Sequence, residues 1–542
     1  MSELTANAVL LRGGPIITMN RTRDVLPAGT GILCIDGRID RFILPESDGI
    51  PLGTRHIEMG SHPILPAFLD VHAHFGMTND SLAQTVDCHT PPRDSIEDIL
   101  DALRDGLHLA EAREGWLLGQ GSLMQDKKLR DARLPTRYDL DRVSTTIPIV
   151  VRCGGHVTVL NSLALERSGL LNHDSLDGSA ELVSDAEGPN GILVEGFVLV
   201  PIPSLDAEER RRGLRETLDS VFTRNGVTYL GEISNSLESL DDLAILTEGG
   251  PITIDAYAWM PDTARNVFEA AQLRDRFSRS NMKIRGAKIF VDGGFSAMTA
   301  ATKVPYLDTK INYGELYYDL DELSTIIRGC YDEGLQLIAH ANGERAQELV
   351  CEANKVALGH DRFTANTRLE HAGNLLPDIA IVDEWIDAGV SIVSQPGFLY
   401  TMGDYFPGLF GPYGSRGRFP YRTLLERGFP VAASSDVSGS ELRHANPMFN
   451  AWCAVERIGF NGSVIDAEES IDQVAALEMQ TVYAAHAAGV EAVRGSLEVG
   501  KVADIVALSS DPRSARSTDL LDISVVVVVK EAEVVLETRV LR

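Results

Sequence analysis

Short apolar runs, each ending in a side chain able to bind metal or move a proton, recur along the middle of this chain. They are Pro63-Ile-Leu-Pro-Ala-Phe-Leu-Asp-Val-His-Ala-His-Phe, carrying His72 and His74, then Ile284-Arg-Gly-Ala-Lys288, Leu335-Gln-Leu-Ile-Ala-His340, Thr367-Arg-Leu-Glu-His371 and Pro430-Val-Ala-Ala-Ser-Ser-Asp436. His371 follows His340 by 31 residues, and Asp436 follows His371 by 65. A (β/α)8 barrel of about 250 residues uses about 31 residues for each strand–helix unit. On that rhythm His340 and His371 end strands 5 and 6, Val390-Ser-Ile-Val-Ser-Gln-Pro is strand 7, and Asp436 ends strand 8. Lys288 falls on strand 4, Ile252-Thr-Ile-Asp-Ala-Tyr-Ala and Gly226-Val-Thr-Tyr-Leu are strands 3 and 2, and the His-x-His run is strand 1. The C-terminal rim of such a barrel is where active sites lie.

One gap breaks the rhythm. Between His74 and Gly226 lie 151 residues, which hold strands of their own (Trp116-Leu-Leu-Gly and Ile147-Pro-Ile-Val-Val-Arg) and a charged helix from Asp206 to Arg224. This reads as an inserted α/β subdomain over about residues 80–215, placed over the active-site mouth. Both ends of the chain are β-rich. Residues 7–62 alternate short β runs with turns, Asp36-Gly37 being a hairpin signal, and Ala503-Asp-Ile-Val-Ala-Leu, Ile523-Ser-Val-Val-Val-Val-Val and Glu533-Val-Val-Leu close the chain. The expected fold is α/β: a distorted (β/α)8 TIM barrel over residues 65–489, with a small β-sandwich built from both termini, 1–64 and 490–542.

Composition narrows the partners. There are 49 Lys and Arg against 78 Asp and Glu, a formal charge of −29. That argues against nucleic acid and anionic membrane, and leaves a small-molecule substrate as the expected partner. The acidic surface and the edge of the terminal sandwich permit a homodimer without requiring one. Six scattered cysteines include no C-x-x-C pair, so neither a zinc ribbon nor a disulfide framework is indicated. With no signal-peptide pattern at the N-terminus and no apolar run beyond Val525–Val529, a cytoplasmic protein is expected.

Residues i and i+2 of a strand share a face, so His72 and His74 can bind one ion. Four imidazoles and a carboxylate on one rim suit zinc. Six positions are too many for one tetrahedral ion but fit two ions sharing a bridge. Lys288 is the odd member, since an ammonium repels metal; it fits if modified, or as a base or salt-bridge partner.

Further motifs extend the pattern: Leu10-Leu-Arg-Gly-Gly-Pro-Ile-Ile-Thr-Met, Gly155-His-Val-Thr-Val-Leu-Asn-Ser-Leu-Ala-Leu, Lys288-Ile-Phe-Val-Asp-Gly, His340-Ala-Asn-Gly-Glu-Arg-Ala, Arg368-Leu-Glu-His-Ala, Ser434-Ser-Asp and Gly495-Ser-Leu-Glu-Val-Gly-Lys-Val-Ala-Asp. In these, over nearly its whole length, the chain resembles the amidohydrolase superfamily of metal-dependent hydrolases, and within it the YtcJ-like (amidohydrolase 3) branch, which includes N-substituted formamide deformylases. The resemblance implies two divalent metal ions, zinc being the best match. His72, His74 and Asp436 would bind the first and His340 and His371 the second, with Lys288 N-carboxylated as the bridge. It further implies a metal-bridging hydroxide as nucleophile, Asp436 taking its proton and passing it to the leaving amine, and His156 hydrogen-bonding the substrate carbonyl or its oxyanion. Two departures bear on the substrate: Ala67 stands where the family has Gly, and Gly154-Gly155-His156 where it has Asp-Gly-His.

The expected activity is hydrolysis of a C–N amide-type bond, other than a peptide bond, in a small hydrophobic or aromatic substrate. The alternatives are hydrolysis of a cyclic amide, carbamate or ester, ring deamination, or a non-catalytic scaffold; the last is disfavoured because all six ligand positions hold suitable residues. Phe398, Tyr400, Tyr405, Phe406, Phe410 and Tyr413 follow strand 7 and read either as anchors on the barrel or as a lid lining an apolar pocket. The lid reading is preferred, with Phe75, Asn161, Phe398, Tyr400, Tyr405 and Phe406 as pocket candidates; Asn161 reads equally as a backbone brace. The histidines at 56, 62, 89, 108, 173, 360, 444 and 486 read as surface or turn residues, and Gly293-Gly294 as a loop rather than a phosphate cradle.

Overall fold

Strand β1 (Phe68–Ala73) opens an eight-stranded parallel sheet that continues through β2 (Val227–Ser234), β3 (Thr253–Ala258), β4 (Met282–Phe290), β5 (Gln336–His340), β6 (Arg368–Glu370), β7 (Ser391–Ser394) and β8 (Val431–Ala433). The computed structural model describes residues 8–45, 49–78, 84–172, 176, 180–259, 271–274, 276–277, 281–307, 311–438 and 440–538. Every neighbouring pair from β1 to β8 is parallel and in sequence order. β8 and β1 form no regular ladder. Their seam is stitched just beyond the strands, where Asp436 N–H donates to the His72 carbonyl (2.9 Å), His74 N–H to the Val437 carbonyl, and Ser435 N–H to the Asp70 carboxylate (3.1 Å). The result is the TIM-like barrel expected from the spacing.

Helices cover the barrel for reasons legible in sequence. Leu320–Asp332, between β4 and β5, starts at Asp319, whose side chain accepts from Glu322 N–H while Glu322 reaches back to Asp319 N–H. This reciprocal cap satisfies donors that a helix N-terminus otherwise leaves open. Leu323, Ile326, Ile327 and Cys330 then lie on one face and are buried. That is the i, i+3, i+4, i+7 spacing of a core-facing helix. Each fully buried Leu or Ile contributes about 1.5–3 kcal/mol.

The barrel interior holds a polar network among branched apolar residues such as Ile233 and Ile338. Arg368 on β6 is fully buried. Its Nε donates to Glu370 (2.7 Å) and its terminal nitrogens to the Tyr257 hydroxyl (3.2 Å) and the Val71 carbonyl (2.9 Å). Tyr257 donates onward to Gln336 (2.7 Å), whose amide donates to the Ala487 and Asn366 carbonyls (2.8 and 2.9 Å). A buried charge holds only where it is paired and its remaining hydrogen bonds are made, as they are here.

Two further sheets come from the termini. One has the strand order Arg38–Ile43, Gly31–Ile35, Ala8–Arg12, Arg55–Glu58. The other joins Glu533–Glu537, Val525–Lys530 and Ile505–Leu508 from the C-terminus to Ile64–Pro66, Ile16–Ile17 and Val25–Leu26 from the N-terminus. They share one core, including Val9, Ile32, Ile64, Ile505 and Val527. Asp36 (φ 49°) and Gly37 (φ 79°) make the two-residue hairpin turn, the left-handed pair such turns require.

Between β1 and β2 a six-stranded mixed sheet forms a separate layer. Val86–Asp87, Leu117–Gly121 and Ile149–Cys153 run parallel, and Val157–Leu160, Gly188–Val194 and Glu181–Asp185 follow antiparallel. It has its own core, with Ile99, Leu103, Leu117 and Val151 fully buried. One tie to the barrel is a buried ion pair, Lys128 Nζ to Glu441 Oε1 (3.2 Å). No helix among the described residues is long and apolar enough to cross a membrane.

Candidate active site

His72 lies on β1 and His74 one residue past its end, on the same face. Their Nε2 atoms stand 3.2 and 3.3 Å from one oxygen of Asp436, which arrives from the turn after β8. His371 follows β6, its ring centroid 5.0 Å from that of His72 and 4.6 Å from that of His340 at the end of β5. One donor atom each of His72, His371 and Asp436 lie within 4.8 Å of one another. His371 (φ 68°) and Asp436 (φ 55°) both hold left-handed backbone. For residues other than Gly this costs about 1–2 kcal/mol each and clusters at functional sites.

Three of the rings are held from behind. His72 Nδ1–H donates to Glu370 and His371 Nδ1–H to Gln395 Oε1 (2.9 Å), while His340 Nε2 lies 3.1 Å from the Gly293 carbonyl and 3.0 Å from Asn342 Nδ2. In His72 and His371 the other ring nitrogen, Nε2, is then left as an acceptor, the form a metal needs. Burial pushes His74 down to about 4 and His371 to about 3, and drives His340 well below the usual histidine range. Burial opposes ionisation of Asp436, but hydrogen bonds from His72 and His74 outweigh it and hold its carboxyl well below the usual range. Lys288 projects from β4, fully buried, with no hydrogen-bond partner for Nζ among the described residues. Burial pushes its ammonium down to about 8 against the pull of Glu370 and Asp436. The donor set therefore fits divalent ions: imidazoles, an ionised carboxylate, and an amine over the Phe290 ring (5.0 Å) that lacks a hydrogen-bond partner among the described residues and that N-carboxylation would turn into an anionic ligand.

The cluster opens into a cavity of about 740 Å³ lined by residues of both the barrel and the inserted sheet. His156, in the turn after Ile149–Cys153, lines it, with Nδ1 at 2.9 and 3.0 Å from the two oxygens of Glu195. Burial opposes protonation of His156, but Glu195 outweighs it and raises its pKa.

Of the six pocket candidates, Phe398 lines the cavity and the other five do not. Phe75 turns inward, its amide held by Glu232 (2.6 Å) and its ring edge-on to Phe222 (5.7 Å). Asn161 is a brace: its side chain accepts from the Ile149 and Ala164 amides and donates to the Ser144 and Ile147 carbonyls. Tyr400 packs against Phe449, Trp452 and Phe460, beneath Arg443. Tyr405 precedes the short helix Phe406–Phe410, and Phe406 packs edge-on to Phe295 (5.1 Å). The segment after β7 folds into two short helices, Pro396–Met402 and Phe406–Phe410, and only Phe398 and Met402 of these reach the cavity. Anchoring is thus the better description of it than a lid. The aromatic walls come instead from Phe197, Trp259, Phe290, Phe295, Tyr317 and Tyr318.

His444, expected at the surface, is fully buried between Phe398 and Phe449, with Nε2 3.0 Å from the Thr401 hydroxyl. His173 lies outside the described residues. Glu370 and Gln395 were missed as supports. Glu370 had a signal: Arg368 and Glu370 alternate with Leu369 in a central strand, which aims two charges at the barrel interior.

The fold recurs in an uncharacterized metal-dependent hydrolase from Pyrococcus furiosus (TM-score 0.69, 23% identity, 94% of this chain and 100% of that one). In sequence the chain is 25% identical over 490 residues to the N-substituted formamide deformylase of Arthrobacter pascens, covering 86% of this chain and 87% of the relative. It is 24% identical over 519 residues to YtcJ of Bacillus subtilis (strain 168), covering 92% and 94%. The amidohydrolase family profile matches residues 64–536, nearly all of the barrel, insert and C-terminal strands, and the chain belongs to that family of hydrolases.

Proposed function

We propose that this chain is a metal-dependent hydrolase that cleaves the C–N amide-type bond of a small, hydrophobic or aromatic, non-peptide substrate. The observation that carries the reading is the convergence of His72, His371 and Asp436 around one point, beside a fully buried lysine with no hydrogen-bond partner among the described residues. His72, His74, His340, His371 and Asp436, together with an N-carboxylated Lys288, would hold two divalent ions, zinc by donor type. Such ions supply Lewis acidity, giving a nucleophile at neutral pH and a polarised carbonyl. The residues of the chain do the rest. Asp436, held ionised, accepts the proton of the attacking water and returns it to the leaving nitrogen. His156 donates to the carbonyl oxygen as charge builds there. The aromatic walls exclude bulk water and favour an aryl or alkyl substituent. The name of the Arthrobacter pascens relative supports amide-type substrates.

The test is metal content per chain, on protein purified without chelator and with bicarbonate present, together with hydrolysis of N-phenylformamide. Two equivalents of zinc and release of aniline support the reading. One equivalent favours a deaminase-like centre, since the tightest donor group, His72, His371 and Asp436, suits a single ion. No metal, even after reconstitution, overturns it.

A further inference from the structure

The pair Gly293-Gly294 follows β4, and the structure leaves no room for side chains there. A Cβ on Gly294 would stand 2.5 Å from His156 Cδ2 and 2.7 Å from Nε2; one on Gly293 would stand 2.1 Å from Thr299 Oγ1 and 2.8 Å from a Glu195 oxygen. The two glycines are the floor on which three side chains from distant segments meet. Glu195 places both oxygens on His156 Nδ1 (2.9 and 3.0 Å). Thr299 Oγ1–H donates to Glu195 (2.6 Å) and accepts from Gly294 N–H (2.9 Å). The backbone repeats the link, Glu195 N–H donating to the His156 carbonyl (2.8 Å). Glu195 holds left-handed backbone (φ 51°), a strained conformation of the kind kept where surrounding structure over-determines it.

We propose that Glu195 is the positioning residue for His156, and that Thr299 on its Gly293-Gly294 floor locks the pair to the barrel. The inference rests on the catalytic role given to His156 above. An ionised carboxylate only accepts hydrogen bonds, so Nδ1 carries a proton and the ring is fixed in one orientation beside His340 (centroids 5.6 Å apart). His156 and Glu195 both belong to the inserted sheet, whereas Thr299 and the two glycines belong to the barrel loop after β4. The insert therefore does more than shape the pocket: it contributes a reacting side chain, and this contact sets where that side chain stands relative to the metal cluster.

The experiment uses the full chain loaded with zinc and bicarbonate, and compares wild type with His156→Ala, Glu195→Gln and Thr299→Val. N-phenylformamide is the probe substrate, metal content the control, and the ring-nitrogen spectrum of ¹⁵N-histidine-labelled protein the structural readout. Glu195→Gln should lower kcat by about 10–100-fold, move KM by less than about threefold, and leave metal content unchanged. Thr299→Val should do the same more weakly. In the spectrum, the protonated Nδ1 signal of His156 should shift in Glu195→Gln. Wild-type kcat in Glu195→Gln, with His156→Ala impaired, overturns the inference while leaving the catalytic reading intact. If His156→Ala keeps full rate, or the probe is not turned over, the spectrum decides: a displaced Nδ1 signal supports the positioning contact, and an unmoved one refutes it.

Discussion

Replacing Glu370 separates what a buried carboxylate does for the fold from what it does for metal. Glu370 and Arg368 are both fully buried, and Glu370 joins the guanidinium to His72 Nδ1. Glu370→Gln leaves a cation in the barrel without its carboxylate, though Tyr257 and the Val71 carbonyl still accept from it. Breaking such a pair from one side costs about 3–5 kcal/mol, and the two remaining acceptors place this case at the lower end. Arg368→Met leaves the carboxylate buried with His72 as its hydrogen-bond partner and Lys288 nearby, at a similar cost. The double variant removes both charges, and should return to within about 1 kcal/mol of wild type. Metal affinity follows a different rule, because what matters there is the negative charge of the acceptor on Nδ1, which raises the basicity of the ring. Glu370→Gln and the double variant should both bind zinc about 10–100-fold more weakly, while Arg368→Met stays closer to wild type. Urea denaturation of the metal-free proteins and competition against a zinc-binding dye read the two quantities. A double variant as unstable as either single one, or zinc affinities that simply track stability, would refute the reasoning.

Lys128 gives a pH signature. Burial pushes its ammonium down to about 8, against the pull of Glu441, from 10.5 in the unfolded chain. Between those values the unfolded chain binds the extra proton, so wild type gains on Lys128→Met by about 1.4 kcal/mol per pH unit as pH rises through the window; a flat difference between their denaturation midpoints is the contrary result. For the pocket, Phe398→Ala should raise KM for N-phenylformamide about tenfold, the loss of roughly 1.4 kcal/mol of ring contact. Tyr405→Phe should leave KM unchanged, and equal effects in steady-state kinetics would restore the lid. Stripping the ions with a chelator should lower the thermal midpoint, and restoring zinc at about 1,000 times its Kd should return roughly 4 kcal/mol of stability; a midpoint indifferent to zinc would place the ions elsewhere.

The barrel was legible because its rhythm is local. A strand, a helix and a loop have fixed lengths, so the 31 residues from His340 to His371 fix adjacency before any contact is known. The rim residues were legible for the same reason, since a strand's last side chain marks the rim. What stayed hidden depends on packing between segments far apart in sequence. Tyr400 and Phe406 sit on the expected rim yet turn toward Phe460 and Phe295, and aromatic density alone does not say which way a ring faces. Asn161 braces loops instead of meeting a ligand. Glu195 carried no motif, and its partnership with His156 appears only once the inserted sheet is folded.

The seam between β8 and β1 bears on how the molecule comes into being. Asp70, His72 and His74 are made early in synthesis and the turn holding Ser435, Asp436 and Val437 late, and hydrogen bonds between these two segments close the barrel. A nascent chain that has not reached that turn has an open sheet edge at β1 and an incomplete cluster of donors. Closing the sheet and completing the donor cluster use the same two segments, so a chain that ends before Ser435 has neither. Such fragments present an unpaired strand edge, a hazard for aggregation, and for them captured zinc would report a finished barrel before any substrate is tried.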